Sequence, residues 1–377
     1  MKKKDLIIII PFLMFIFTFG LLYFVIPDIE FSENENKYLQ QFPNVTFKNI
    51  ANGKFEADFE EYLSDQIAGR DLWVAGNSVL LQACGRKDIN GVYIGNDGYL
   101  LEIFDKLDMD RYSKQIAALN KFVTYVDCPV YFAISPNSVS VMNEKLPKNA
   151  VNYSQEKYIS EFYSALSSEI TTIDLSSVLK AHCDEYIFYR TDHHWTSYGA
   201  FLAYNELAEI MGLKILSEED VSVTEISSDF LGTLFSKGNF IIEPDTMHRY
   251  ELKNSPEYTV ILDDGKELDT LFDESYLSSK DKYAYFSHGN PGHLKVETEA
   301  DNDKILVIVK DSYMHCMLPL FVDSYSEIHM LDPRYIKTNL TEYITALEPD
   351  EILMLYNAQT LSGDVNFTRL GTAPNQE

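Results

Sequence analysis

The stretch Thr191-Asp192-His193-His194-Trp195-Thr196 stands directly before the apolar, helix-patterned run 197–211. It places one carboxylate, two imidazoles, one indole and two hydroxyls within six residues. Such polar density beside an apolar helix is costly to fold unless the groups are paired with one another or used. We therefore interpret the stretch as one half of a catalytic site and expect the other half elsewhere in the chain.

The spacing of Asp192 and His194 indicates how this half is built. Residues two apart do not face each other on a helix, so the pair belongs to the segment before the helix, with Thr196 or Ser197 as its N-cap. There the carboxylate can hold one ring nitrogen, which leaves the other nitrogen to accept a proton. The alternatives are a polar capping segment with exposed histidines and a metal site built from His193, His194 and Asp192.

The other half is expected at Lys310-Asp311-Ser312-Tyr313, which follows the continuous apolar strand 304–309. A turn from a buried strand into a helix lifts a hydroxyl to the carboxyl end of the sheet and leaves backbone N–H groups free beside it. Ser312 can then attack an acyl carbon while its own N–H holds the oxyanion. The alternative is that Asp311 or Ser312 is only a helix N-cap.

A third polar residue, Asn357, follows the strand 351–356. An amide in that position can donate to an oxyanion, although an isolated asparagine is also a common turn former. Asp192, Ser312 and Asn357 all fall at predicted strand ends on one edge of one sheet, and the chain order Asp, His, Ser is compatible with a triad.

Composition limits the function classes. The chain has 377 residues, 46% of them hydrophobic, and a formal net charge of −27. Nucleic acid is excluded as a partner because binding a phosphate backbone requires clustered Lys and Arg. The four cysteines, at 84, 128, 183 and 316, are scattered. They are interpreted as ordinary buried thiols, with a disulfide framework or a metal site as alternatives.

The beginning of the chain predicts a membrane anchor. Lys2, Lys3 and Lys4 precede the uncharged run 6–26, which is long enough to cross a bilayer core of about 30 Å. Acidic residues follow it, Glu33 and Glu35 among them, so the N-terminus is expected in the cytoplasm and the body outside. A cleaved signal peptide is the alternative, although the run is longer than usual and no A-x-A site follows.

Strand and helix patterns alternate along the body, which favours an α/β fold with a parallel sheet between helical layers. Residues 215–300 differ, because they are acidic and carry short alternating strands, and they predict an inserted β-rich lobe. The predicted domains are 1–26 (tip and anchor), 27–85 (stalk and helical segment), 86–214 and 301–377 (the two parts of the α/β domain), and 215–300 (the lobe).

The run Thr191-Asp-His-His-Trp-Thr-Ser-Tyr-Gly-Ala200 resembles the signature of the DHHW proteins, which are similar to the alginate O-acetyltransferases of the SGNH hydrolase-like superfamily. The resemblance implies an SGNH-like fold in circularly permuted order. It also implies Asp192 and His194 as acid and base, with His194 favoured over His193, and Ser312 as nucleophile. Lys310 stands where the family's Gly-Asp-Ser block has glycine, and Asn357 is a looser match to the oxyanion asparagine.

The resulting hypothesis is a membrane-anchored, extracytoplasmic O-acetyltransferase or acetylesterase acting on a cell-envelope polysaccharide. Trp195, Tyr198, Tyr313 and His193 are expected to bind the sugar, with core packing as the alternative for the aromatics. No cofactor or metal is expected, and a membrane acyl-transfer partner is implied by the resemblance alone. The alternative is a non-catalytic glycan-binding or scaffold protein of an envelope assembly that keeps the fold.

Overall fold

The computed structural model describes residues 3–32, 37–105 and 107–374 of the chain. Lys2, Glu33 and Glu35, which carry part of the orientation argument, lie outside the described residues. The chain divides into two compact units, Met1–Asn90 with Phe235–Ile241 and Gly91–Leu234 with Ile242–Glu377.

The α-helices are numbered in chain order: α1 Lys3–Val25, α2 Phe47–Ala51, α3 Lys54–Asp65, α4 Arg70–Ala83, α5 Met109–Phe122, α6 Ser138–Val141, α7 Gln155–Ser164, α8 Ser176–Ala181, α9 Ser197–Met211, α10 Thr233–Ser236, α11 Leu340–Thr345 and α12 Ala358–Gly363. The strands are numbered likewise: β1 Phe31–Ser32, β2 Lys37–Tyr38, β3 Asp88–Ile89, β4 Val92–Ile94, β5 Leu100–Glu102, β6 Val130–Ser135, β7 Ile170–Asp174, β8 Val221–Phe230, β9 Asp245–Leu252, β10 Tyr258–Leu262, β11 Glu267–Leu268, β12 His293–Thr298, β13 Ile305–Lys310, β14 Glu327–Leu331 and β15 Glu351–Asn357.

The smaller unit contains α1 to α4 and the two-residue antiparallel pair of β1 and β2. Trp73 of α4 packs edge-on against Phe15 and Phe19 of α1. The segment Leu6–Val25 is long and apolar enough to cross a membrane, with a mean hydropathy of 2.6. A signal sequence satisfies the same criteria, so the predicted anchor and its orientation remain a proposal.

The larger unit is a mixed α/β fold around an eight-stranded sheet with the order β11-β10-β12-β14-β13-β15-β6-β7. The five strands from β14 to β7 are parallel to their neighbours in this order. Strands β13 and β15 are central and almost wholly buried, which fits their continuous apolar sequences. Their carboxyl ends, at Lys310 and Asn357, lie at the same edge of the sheet because the two strands are parallel.

The sheet differs from the expectation in residues 215–300. Strands β10, β11 and β12 join it antiparallel and extend it beyond β14, instead of forming a separate lobe. Only β8 and β9 of that segment form their own antiparallel ribbon. The alternating pattern in the sequence shows that strands form, but not which strands they pair with, because pairing is set by long-range register. The permuted order and the predicted domain boundaries remain predictions.

Helix α9 has the bounds that the sequence predicts. The Oγ1 atom of Thr196 accepts a hydrogen bond from the Gly199 N–H at 3.2 Å, which caps the first turn. The helix ends at Gly212, whose φ of 70° is readily adopted by glycine. Gly199 lies so close to the preceding segment that a Cβ there would be 3.2 Å from the Trp195 Cβ. The cap and this close approach together fix the segment that carries the two histidines.

Candidate active site

The segment before α9 folds back on itself. Phe188 and Trp195 form an antiparallel bridge, and the Tyr189 N–H donates to the His194 carbonyl. This short hairpin turns the Asp192 and His194 side chains toward each other. The His194 Nδ1 atom lies 2.5 Å from Asp192 Oδ1, which also accepts the His194 backbone N–H at 3.0 Å.

The second carboxylate oxygen of Asp192 is held by Thr233, at the start of α10. Asp192 Oδ2 accepts hydrogen bonds from the Thr233 N–H at 2.7 Å and from the Thr233 hydroxyl at 2.9 Å. The same hydroxyl lies 2.6 Å from His193 Nδ1. Because its only hydrogen goes to the carboxylate, His193 Nδ1 must be the donor to it. Four donors therefore fix the carboxylate, and Thr233 was not singled out as a site residue from the sequence.

Ser312 follows β13 as predicted, but the turn there is a 3₁₀ turn, Ser312–Met314, rather than the start of an α-helix. Asp311 caps this turn, since its carboxylate accepts the Tyr313 N–H at 2.9 Å. The Ser312 Oγ atom lies 2.6 Å from His194 Nε2. An unbroken hydrogen-bonded chain thus runs from the Ser312 hydroxyl through both ring nitrogens of His194 to Asp192, and it joins His194 to a residue 118 positions further along the sequence.

Burial and charge set the protonation of this chain. Burial and, after it, the neighbouring His193 lower the pKa of His194 to about 4, against the opposing effect of Asp192. Burial alone would raise the pKa of Asp192, but the two imidazoles and the bonds from His194 and Thr233 hold it well below its usual range. At neutral pH the imidazole is therefore uncharged and the carboxylate ionised, the states that a general base and its orienting acid require.

The structure corrects the role expected for Asn357. Its Nδ2 donates to Asp311 Oδ2 at 2.7 Å and to the Thr360 hydroxyl at 2.8 Å, which uses both amide hydrogens. The residue is also fully buried. Asn357 therefore holds the capping carboxylate of Asp311 in place and has no hydrogen left for an oxyanion. Among the described residues no acceptor bonds the Ser312 backbone N–H, so this N–H remains the candidate oxyanion donor.

Two of the aromatics expected to bind sugar are buried instead. Trp195 and Tyr313 are each 0% exposed, and the indole Nε1–H donates to the Tyr313 carbonyl at 2.9 Å. The Tyr313 hydroxyl donates to the His193 carbonyl at 2.5 Å and accepts from Asn137. These contacts brace the histidine segment against the Ser312 turn, which is a packing role. Their apolar character was visible in the sequence, but their burial depends on the fold.

The remaining two predicted substrate-binding residues are partly exposed. Tyr198 donates its hydroxyl to Glu185, and its ring lies 6.4 Å from that of Tyr250. In the described part of the chain it contacts none of the three residues of the hydrogen-bonded chain. The His193 side chain is 25% exposed and its ring lies 3.9 Å from that of His194, so it stays a candidate for contact with substrate.

A buried cluster lies beneath the Ser312 turn. Lys310, 0% exposed, directs its Nζ atom at His315 Nε2 (2.7 Å), Asn290 Oδ1 (2.8 Å) and Asp332 Oδ2 (3.2 Å). Burial lowers the pKa of Lys310 to about 8, although Asp332 opposes the shift. Arg334 also pairs with Asp332 through two hydrogen bonds. Lys310, at the position where the resemblance implies a glycine, therefore has three polar partners inside the fold.

The residues Asp192, His193 and His194 also have the spacing of a metal-binding group, with one ligand atom from each within 4.8 Å of the others. Both ring nitrogens of His194 already have partners, in Asp192 and Ser312. An ion would have to displace one of these bonds in order to use His194 as a ligand. The expectation of a metal-free site remains a prediction.

The larger unit is thus an α/β protein with a central mixed sheet. Its polar site groups lie at the carboxyl edge of the parallel strands, beside a histidine segment that leads into the capped helix α9. The sequence profile described as "DHHW protein" matches residues 85–331, and the chain belongs to this family. No curated protein sequence matches the chain.

Solved structures share the fold. A DHHW family protein from Eubacterium siraeum aligns with a TM-score of 0.65 at 24% identity, covering 77% of this chain and 98% of that one. Bacillus cereus PatB1, in a structure with a sulfonyl adduct, aligns with a TM-score of 0.64 at 20% identity, covering 74% and 98%. The O-acetyltransferase domain of Pseudomonas putida AlgJ is more distant, with a TM-score of 0.46 at 14% identity over 74% and 98%. A similarity that low supports no inference about this chain.

Proposed function

We propose that this chain is a membrane-anchored, extracytoplasmic O-acetyltransferase or acetylesterase that acts on a cell-envelope polysaccharide through a triad of Ser312, His194 and Asp192. The observation that carries the proposal is the chain of short contacts from Ser312 Oγ to His194 Nε2 (2.6 Å) and from His194 Nδ1 to Asp192 Oδ1 (2.5 Å). The acetyl group and the polysaccharide come from the resemblance of the sequence 191–200 to the DHHW proteins and, through them, to the alginate O-acetyltransferases. The anchor would be α1, which places the larger unit outside the cytoplasm.

The chemistry follows from the positions of these groups. Ser312 Oγ attacks the acetyl carbonyl carbon while His194 Nε2 takes the hydroxyl proton. The Ser312 N–H stabilises the oxyanion of the tetrahedral intermediate. When the ester bond breaks, His194 returns its proton to the departing sugar oxygen, which leaves acetyl-Ser312. A second sugar hydroxyl or a water molecule then attacks the acetyl-enzyme, with His194 again as the base, and restores the free serine.

Ser312 is more exposed to solvent than the base beside it. Ser312 is half-buried, whereas His194 beside it is only 5% exposed. A base shielded from water and a partly accessible hydroxyl fit a reaction in which the substrate approaches from the serine side. Thr233 and Asp192 act from behind the imidazole, where they fix its orientation and its tautomer.

The test uses the full chain in detergent micelles. The wild type is expected to release 4-nitrophenol from 4-nitrophenyl acetate and to gain one methylsulfonyl group on Ser312 from methanesulfonyl fluoride. A sulfonyl reagent is chosen because the PatB1 structure carries a sulfonyl adduct. Ser312→Ala is expected to abolish both signals, with Ser362→Ala on α12 as a control that retains them. A folded wild-type chain that does neither would favour the non-catalytic glycan-binding alternative.

A further inference from the structure

Tyr283 lies in the short 3₁₀ turn Lys282–Tyr285, inside the segment 215–300, and no sequence pattern marked it as part of the site. It is 4% exposed. Its ring is stacked on the imidazole of His194, with centroids 3.7 Å apart and an interplanar angle of 8°. No other ring in the described part of the chain lies as close to His194; those of His193 and Tyr313 are 3.9 and 5.5 Å away and more strongly tilted.

The hydroxyl of the same side chain reaches the nucleophile's turn. It lies 3.3 Å from the Ser312 carbonyl oxygen and 3.3 Å from Cys316 Sγ, either of which can accept its one hydrogen. The hydroxyl thus contacts the backbone of the serine while the ring contacts the face of the base. One residue connects the two groups between which the proton passes.

The stack supplies a restraint that the hydrogen bonds of His194 do not. Those bonds lie near the ring plane, at Nδ1 and at Nε2, and the ring can still rock about the line that joins the two nitrogens. A second ring parallel to the imidazole face opposes that rocking. An electron-rich tyrosine face is also favourable beside an imidazolium, the cation that forms when His194 takes the proton.

We propose that Tyr283 is a positioning residue for the reaction of Ser312, acting through His194 by holding the imidazole in line with the hydroxyl and by stabilising the imidazolium. The inference rests on the proposed function. Tyr283 is buried and is expected to make no contact with the substrate. Its loss should therefore slow the chemical step without weakening substrate binding.

The charged and titratable groups around His194 set its pKa, and with it the acid limb of the pH profile. Asp192 favours the imidazolium, whereas burial, His193 and Arg334 disfavour it. His315 belongs to the buried cluster around Lys310, to which its Nε2 atom is bonded. Its ring lies 6.4 Å from that of Tyr283. A leucine at position 283 would keep the site apolar while removing the aromatic face, so the pKa of His194 should fall further.

The experiment measures the rate constant for labelling of Ser312 by methanesulfonyl fluoride, and kcat and KM for 4-nitrophenyl acetate, with the full chain in detergent. Tyr283→Leu is expected to lower the labelling rate constant and kcat about ten- to a hundredfold, with KM little changed. The acid limb of its pH profile should move to lower pH. Tyr283→Phe, which keeps the ring, should stay within about threefold of the wild type.

Tyr285→Leu is the matched control, because Tyr285 is 1% exposed in the same turn but stacks on Phe272 instead of a histidine. If Tyr283 only supported the fold, its loss would reduce the fraction of chains that label. The chains that still label would keep the wild-type rate constant and the wild-type acid limb of its pH profile. Tyr283→Met gives a second variant should the leucine variant fail to fold. A wild-type rate constant in Tyr283→Leu or Tyr283→Met would overturn the role of Tyr283 and leave the proposed function in place. A wild-type chain that never labels overturns the proposed function and this inference with it.

Discussion

Gly232 faces the carboxylate of Asp192 so closely that a Cβ at position 232 would lie 2.6 Å from the Asp192 Cγ, and closer still to Oδ2. The next residue, Thr233, donates both of its hydrogen bonds to that same oxygen. The absence of a side chain at Gly232 is therefore what allows the 232–233 backbone to approach the Asp192 carboxylate.

Gly232→Ala should displace Asp192 or the Thr233 backbone and weaken the hold on His194. We expect a loss of about 1–3 kcal/mol of stability from the forced overlap and a drop in Ser312 labelling of at least about tenfold. Thermal unfolding and labelling by methanesulfonyl fluoride measure the two effects. Gly363→Ala, where a Cβ would meet nothing within 4 Å, is the control and should leave both near wild type.

Asp192→Asn should leave the fold in place and remove the base's orienting group. Each carboxylate oxygen of Asp192 accepts two hydrogen bonds, Oδ1 from His194 and Oδ2 from Thr233. An amide NH₂ in place of either oxygen would face these donors with its own hydrogens and disturb the tautomer of His194. We expect the labelling rate constant of Ser312 to fall about 10³- to 10⁴-fold. Asp110→Asn, at an exposed site on α5, is the control. A variant that labels at the wild-type rate would rule out Asp192 as the orienting acid.

The pH dependence of labelling should follow the pKa of His194, which burial and His193 lower to about 4. The base works only when it is unprotonated, so the rate should be at its plateau from neutral pH down to about pH 5 and be lost as the pH falls through about 4. An exposed histidine, with an ordinary pKa near 6.5, would lose the rate two or more pH units earlier. A midpoint near 6.5 would contradict the burial argument.

Lys310→Met should destabilise the larger unit. The change removes the donor that Asn290 and His315 share and one of the two cationic partners of Asp332, although Arg334 remains paired with it. We expect a loss of about 1–3 kcal/mol in the free energy of unfolding. Chemical denaturation measures it, with Lys114→Met on the exposed face of α5 as the control. Unchanged stability would show that the cluster under the Ser312 turn contributes nothing to the fold.

Local patterns predicted a large part of this molecule. Helix α9 has its predicted bounds because a capping threonine and a terminal glycine are signals carried by single residues. The strands β13 and β15 follow from runs of apolar residues that only a buried strand accommodates. Membership of the DHHW family was likewise expected from the Asp-His-His-Trp stretch and is confirmed.

Other assignments could not be made from sequence, because they depend on which groups compete for a partner. Asn357 follows a strand as predicted, yet its amide hydrogens are taken by Asp311 and Thr360, which no local pattern reveals. Trp195 and Tyr313 have aromatic side chains of the kind that stack on sugars, yet both are buried by the surrounding packing. Thr233 and Tyr283 carried no recognised site signal because their partners, Asp192 and His194, are distant in sequence.

The sequence by itself determined the anchor-like first helix, the buried strands, the capped helix and the family, since each is written in the spacing of neighbouring side chains. Only the tertiary structure decided that the Ser312 hydroxyl meets His194 Nε2 at 2.6 Å, that Gly232 makes room for Thr233, and that Tyr283 covers the imidazole. The physical reason is that burial periodicity and capping are local, whereas hydrogen-bond partners and ring stacks are settled by the long-range packing of strands and loops.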